Sequence, residues 1–181
     1  MSPPIEGTKT GEQRDDNQLQ MKFVWIPPGK FLMGSPKDEA GRIFNEEPVA
    51  VTLSTGFWLG QHEVTQSEWF RLMKTRPWDG TNFEVAKGDD HPAIYVAWEE
   101  ATQFCQSLIQ QERNAGRLPK GWKYVLPTEA QWEYACRAGT TTRYSFGNDV
   151  SKLDEYAWYS GNTIDMNDKY IHQVGRKKPN P

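Results

Sequence analysis

Short apolar runs bounded by turn residues dominate the first third of the chain. "FVWIPPGKFLM" gives two strand-like runs, residues 23–26 and 30–33, split by Pro27, Pro28 and Gly29. Proline presets φ and glycine tolerates positive φ, so the string predicts a β-hairpin. "VAVTLSTGFWL" adds runs at 49–53 and 57–59, with "STG" as the turn between them. The charged stretch "PKDEAGRIFNEEP" between the two pairs reads as a surface loop.

The spacing then turns helical. Thr65 followed by Glu68 is a capping box, with Val64 and Trp69 as its hydrophobic staple. Trp69, Phe70 and Met73 form the expected apolar face, and Pro77 bars continuation. "AIYVAW" reads as a strand leading into a second helix over 99–114. There Ala101, Phe104, Cys105 and Leu108 fall at i, i+3, i+4 and i+7, and Gly116 is the expected stop. In "YVLPTEAQWEYACRAGT", Thr128 and Gln131 make a second capping box, Trp132, Ala135 and Cys136 share one side, and Gly139 ends the helix. "RYSFG" reads as a strand or turn, and "EYAWYSGNT" as an aromatic segment running into an Asn-bearing loop. Short strands, three modest helices and many loops predict an irregular α+β domain.

Composition narrows the picture. The chain has 181 residues, enough for one domain with a real core. Residues 1–20 are polar and predict a disordered leader or linker, so the domain is expected over 21–181. The net charge of −3 comes without a basic stripe, which argues against nucleic acid as a partner. No apolar run approaches the roughly 18 residues that span a bilayer, and no signal-peptide core is visible. Two cysteines are too few for a disulfide scaffold, which favours the cytoplasm. Eight tryptophans are read as interior filling, with sugar stacking as the alternative.

Candidate chemistry is sparse. His62, His91 and His172 show no zinc spacing. Cys105 and Cys136 sit on inferred apolar helix faces, which suits inert thiols, a disulfide between them being the alternative. No nucleophile elbow, P-loop or dinucleotide fingerprint occurs. "GDD" at 88–90 and "DMNDKY" at 165–170 offer hard oxygen donors of the kind calcium takes. The residues alone stop at an aromatic-rich α+β domain without a complete catalytic constellation.

Taken in order, "WIPPGKFLMGS", "GFWLGQHEVTQSEW", "HPAIYVAWEEATQFC", "LPTEAQWEYACRAGTTTRYSFGN", "YAWYSGNT" and "VGRKKPNP" resemble the blocks of the sulfatase-modifying-factor domain, the family of the formylglycine-generating enzyme. The resemblance runs from about residue 21 to the end. It implies an irregular fold of C-type-lectin-like type. It also implies oxidation of a sulfatase cysteine to Cα-formylglycine, with oxygen and a copper ion held by two thiolates, the soft ligands a cuprous ion prefers.

The departures shape the expectation. In the family the chain continues beyond "KPNP" into a glycine- and tryptophan-rich block and the copper-binding cysteines, so the fold is expected to be incomplete at its C-terminus. Neither Cys105 nor Cys136 matches a copper position; both resemble framework cysteines that in some members pair with cysteines late in the chain. The family's calcium site maps onto Asn162, the Thr163 carbonyl, Asp168 and Tyr170, across a shorter loop. Val125 replaces the family's usual Arg, and Gln131 its usual Glu. Two functions follow. One is a formylglycine-generating relative whose partner is a sulfatase polypeptide and which is inactive on its own. The other is a non-catalytic lectin-like module for a protein or small ligand, as in relatives fused to kinases. Neither reading involves a membrane.

Overall fold

The structure is a computed structural model that describes residues 5–80, 86–163 and 171–181. Five strands lie in its first third: β1 (Gln13–Arg14), β2 (Phe23–Ile26), β3 (Gly29–Met33), β4 (Val49–Leu53) and β5 (Phe57–Gly60). Among the described residues four α-helices follow: α1 (Gln66–Met73), α2 (Trp98–Asn114), α3 (Glu129–Arg137) and the single turn α4 (Leu153–Tyr156). Mixed short sheets and helices make the α+β fold that the sequence predicts.

The strand runs fall where expected, but their pairing differs. β2 does not turn back on β3. It pairs antiparallel with β5, from Phe23 opposite Gly60 to Ile26 opposite Phe57, and on its other edge with β1. β3 pairs with β4, from Gly29 opposite Leu53 to Met33 opposite Val49. The four runs are therefore one long ribbon, interrupted midway. Two residues, Pro27 and Pro28, face three on the other side, Ser54, Thr55 and Gly56, so the register slips by one. Proline cannot donate to a ladder, which explains why the interruption falls there. Gly56 is required at this point: a Cβ would lie 2.3 Å from Cζ2 of Trp25.

The leader expectation is corrected for residues 5–20. β1 belongs to the first sheet, and Leu19 is only 3% exposed, inside the core. Low hydrophobicity misled here because hydrogen bonds hold the segment alongside its few apolar anchors. The Trp58 indole donates to the Ile5 carbonyl at 2.6 Å, and Gly7 packs against Trp25.

The core gathers Leu19, Met21, Trp69, Leu72, Trp78, Phe104 and Leu108. The Trp69 and Phe104 rings stack at 5.3 Å, joining α1 to α2. Both Thr-led capping boxes form as predicted: the Thr65 and Thr128 hydroxyls accept from the Glu68 and Gln131 amides, each at 3.2 Å. The faces differ in detail. α1 buries Gln66, Trp69 and Leu72, while Phe70 turns outward under the Arg76 guanidinium, 4.1 Å from its ring centroid. α2 buries Phe104, Leu108 and Glu112 and leaves Cys105 half-buried. α3 leaves Trp132 58% exposed and Cys136 exposed; Tyr134 instead packs on Phe31 at 5.3 Å.

"AIYVAW" forms no strand. Ala93, Ile94 and Val96 still pack on the core, but the backbone turns at Tyr95, φ 57°. Its link to the rest is the Ala93 amide donating to the Val64 carbonyl at 2.8 Å. Tryptophan serves both inside and out: Trp25, Trp69 and Trp78 are buried, whereas Trp98 is 68% exposed. No helix among the described residues is long and apolar enough to cross a membrane.

Candidate functional site

An open cleft of about 400 Å³ lies where four segments meet. Residues 19–22 form one wall, the start of α1 the floor, and the 89–90 and 173–176 segments the remaining sides. Gln66 organises this junction. It is 4% exposed, and its side chain donates to the Ala86 carbonyl at 3.1 Å and accepts the Gly88 amide at 3.2 Å. Its own amide donates to the His91 carbonyl at 2.7 Å. The loop carrying Asp89 and Asp90 is thus tied to the first turn of α1. The 173–176 segment joins through the Val174 amide, which donates to the Asp90 carbonyl at 2.9 Å. Gly175, φ 70°, lets the backbone lie against His62; a Cβ would stand 3.0 Å from the imidazole Cε1.

The cleft carries charges of both signs. Lys22, Arg71 and Arg176 face Glu63, Glu68, Asp89 and Asp90. Several are already engaged. Arg71 donates to the Leu19 and Gln18 carbonyls at 2.9 Å, the Glu68 carboxylate accepts the Thr65 amide at 2.8 Å, and Arg176 Nε donates to Gln173 at 3.0 Å. The cysteines are not among its lining residues, which offer charge and hydrogen-bonding groups.

The sequence-predicted site residues are placed as follows. Asn162 closes a 3-10 turn: its Oδ1 accepts the Tyr159 amide at 2.9 Å, and its Nδ2 donates to the Ala157 carbonyl at 2.9 Å and to Asp154 at 3.3 Å. The Thr163 hydroxyl donates to the Tyr159 carbonyl at 2.8 Å. Asp168 and Tyr170 lie outside the described residues. Asn162 Oδ1 keeps a second lone pair, so the cap leaves room for one further contact. Among the described residues no group of three His, Cys, Asp or Glu side chains could hold a metal.

Cys105 on α2 and Cys136 on α3 are both free thiols. Loss of water around the sulfur pushes both above the usual thiol range; Cys136, exposed as a residue, has its sulfur partly covered and is partly opposed by Arg137. The two thiols stand on separate helices, Cys105 half-buried and Cys136 exposed. The Cys136 carbonyl accepts from the Asn180 side chain at 3.0 Å, so α3's last turn serves to anchor the tail.

Sequence reasoning missed Gln66, Arg71 and Glu112. Gln66 reads as an ordinary first-turn residue, and Glu112 reads by residue type as one more charged surface side chain. The available signal was a conflict: Glu112 falls at i+4 from Leu108, on the buried stripe.

Together these features define an irregular α+β frame around an open polar cleft. The chain belongs to the sulfatase-modifying factor enzyme 1-like domain family, whose model matches residues 9–181. It is similar to the chaperone protein LppX of Paenibacillus barcinonensis, 28% identical over 169 residues, covering 72% of this chain and 58% of that protein. It is also similar to formylglycine-generating enzymes. That of Bos taurus is 33% identical over 100 residues, covering 53% of this chain and 23% of the enzyme. That of Mus musculus is 25% identical over 182 residues, covering 75% and 45%. The chain thus spans less than two thirds of the length of these curated relatives. Among solved structures, PvdO from Pseudomonas aeruginosa shares the fold with a TM-score of 0.74 at 23% identity, over 96% of this chain and 69% of that one.

Proposed function

We propose that this chain is the frame of a formylglycine-generating-type protein: it seats a sulfatase polypeptide at the cleft, while the oxidising thiolates come from elsewhere. The observation that carries this reading is that Cys105 and Cys136 lie on separate helices and that neither lines the cleft. Family membership and the formylglycine-generating relatives support the choice of substrate. A cleft with charges of both signs suits a peptide, whose amides and side chains can meet acidic and basic groups together.

The test uses a labelled sulfatase peptide containing the target cysteine, followed by fluorescence anisotropy and mass spectrometry. Saturable binding, weakened by Asp89→Lys and without oxidation of the cysteine, is expected. Oxidation by this chain alone overturns the frame reading. Absence of binding overturns the peptide seat and favours the non-catalytic module with another ligand.

The same reading includes a calcium ion held by Asn162 Oδ1 and the Thr163 carbonyl and completed by Asp168 and Tyr170. Such an ion would pin the loop rather than take part in chemistry. The fixed orientation of the Asn162 amide supports it. Calorimetric titration at millimolar calcium should give heat that Asn162→Ala abolishes; no heat with the unaltered chain contradicts the site.

A further inference from the structure

Residues 17–22 fold into a knot rather than a strand. Asn17 is buried: its Oδ1 accepts the Leu19 and Met21 amides at 3.1 and 3.0 Å, and its Nδ2 donates to the Met21 carbonyl at 2.7 Å. Gln20 takes a left-handed conformation, φ 59°, to close it. Two helices grip this knot from outside with opposite charges. Arg71 of α1 holds the Gln18 and Leu19 carbonyls. Glu112 of α2 accepts the Gln18 amide at 2.9 Å.

The grip has two consequences. Leu19 and Met21 are held in the core, and the same residues form a wall of the cleft. Glu112 is 1% exposed, and a carboxylate so buried needs a partner charge. Arg117, on the loop after α2, reaches it through Nε and Nη2 at 2.8 and 2.9 Å. The other charged or titratable groups acting on it are Arg14 and Asp16, in and just after β1, and Tyr124; Arg71 meets the same knot from α1.

We propose that residues 17–22 are a latch over the cleft, closed by the charge on Glu112 and opened as a local unit when that charge is removed. A neutral side chain at 112 leaves the Arg117 guanidinium without its counter-charge and weakens the acceptor for the Gln18 amide. Opening withdraws two apolar side chains from the core. The β3–β4 ribbon and α3 share none of these contacts, so they persist while the latch opens. The wall of the cleft goes with the latch.

The direction with pH follows. Burial opposes the Glu112 charge, but the bonds from Arg117 and the Gln18 amide outweigh it and hold the carboxyl below its ordinary range. The latch is therefore fully closed above the ordinary carboxylate value and opens as pH falls through the lower folded value.

Amide hydrogen exchange on the full chain tests this, comparing Glu112→Gln with the unaltered protein and correcting for intrinsic rates. At neutral pH the Gln18, Leu19 and Met21 amides of E112Q should exchange about tenfold faster or more, with the β3 and β4 amides unchanged. Stepwise acidification of the unaltered protein should reproduce that pattern before global unfolding. Unchanged protection of the knot in E112Q, or simultaneous loss of knot and ribbon protection, overturns the latch. Should E112Q fail to fold, the acid series alone decides by the same two outcomes.

Discussion

Glu133 accepts the Gly34 amide at 2.9 Å, across 99 residues of sequence. Arg137, paired with Glu133 at 2.7 Å, donates back to the Gly34 carbonyl at 2.7 Å. Helix α3 thus grips both polar groups of the turn that ends β3. Tyr134, between them in sequence, packs on Phe31, and its hydroxyl lies so near Gly29 that a Cβ there would stand 2.1 Å from it. The string "EAQWEYACRAG" is specific because one face of its helix is a clamp on the ribbon.

Gly34 has φ 97°, and a Cβ would fall 2.8 Å from the Glu46 carbonyl oxygen. Gly34→Ala should lower stability by about 1–3 kcal/mol through strain and lost clamp geometry. Gly41, also at positive φ but with Arg143 3.6 Å away as its nearest contact, should cost less when changed to Ala. Urea denaturation of the two variants checks the order.

The two threonine caps should each contribute about 1 kcal/mol, so Thr65→Ala and Thr128→Ala should shift the urea midpoint by similar amounts. Only the first should also weaken peptide binding, since Thr65 lines the cleft. Thermal melts alongside anisotropy titrations separate the two effects.

Trp25 lies between two glycines: a Cβ at Gly7 would meet its Cγ at 2.2 Å, and one at Gly56 its Cζ2 at 2.3 Å. Gly7→Ala and Gly56→Ala should each cost about 1–3 kcal/mol by overpacking. Because Trp25 also contacts Trp58, with ring centroids at 5.3 Å, near-UV circular dichroism should report the displacement.

Stability should fall at both ends of the pH scale. The Asp16 carboxyl is held low by its bond from Arg14, as Glu112 is by Arg117 once the cost of its burial is met. Both contributions are present above the ordinary carboxylate values and are lost as pH falls through the depressed ones. Tyr124 is pushed up to about 12, first by burial and then by the Glu112 charge. The unfolded phenol ionises near its ordinary value of 10, so stability should decline as pH rises from there to about 12. Tyr124→Phe should flatten the alkaline decline in pH-dependent denaturation and leave the acid arm in place.

Local signals carried much of the fold into the sequence. Thr65 and Thr128 announced their helices because a capping box lies within four residues and owes nothing to tertiary context. The strand runs were legible for the same reason; their partners were not. Whether β2 meets β3 or β5 depends on how the chain passes Pro27 and Pro28, and the turn residues permit either. "AIYVAW" has a strand's composition and packs on the core, yet its backbone pairs with Val64 at Ala93 and then turns away at Tyr95. The polar leader misled because Asn17, Gln18 and Arg14 act through hydrogen bonds, which composition does not count. Of the cleft, the cap at Thr65 and the carboxylates of "GDD" at 88–90 were visible in advance; their meeting was not, since Gln66, Asp90 and Gly175 come together through loops.

The frame reading is tested most directly by titrating the purified chain with cuprous ion against a competing chelator, beside a Cys105→Ser, Cys136→Ser double variant. The account predicts no tight stoichiometric uptake and identical curves for the two proteins. One equivalent bound tightly by the unaltered chain and lost in the double variant would contradict it.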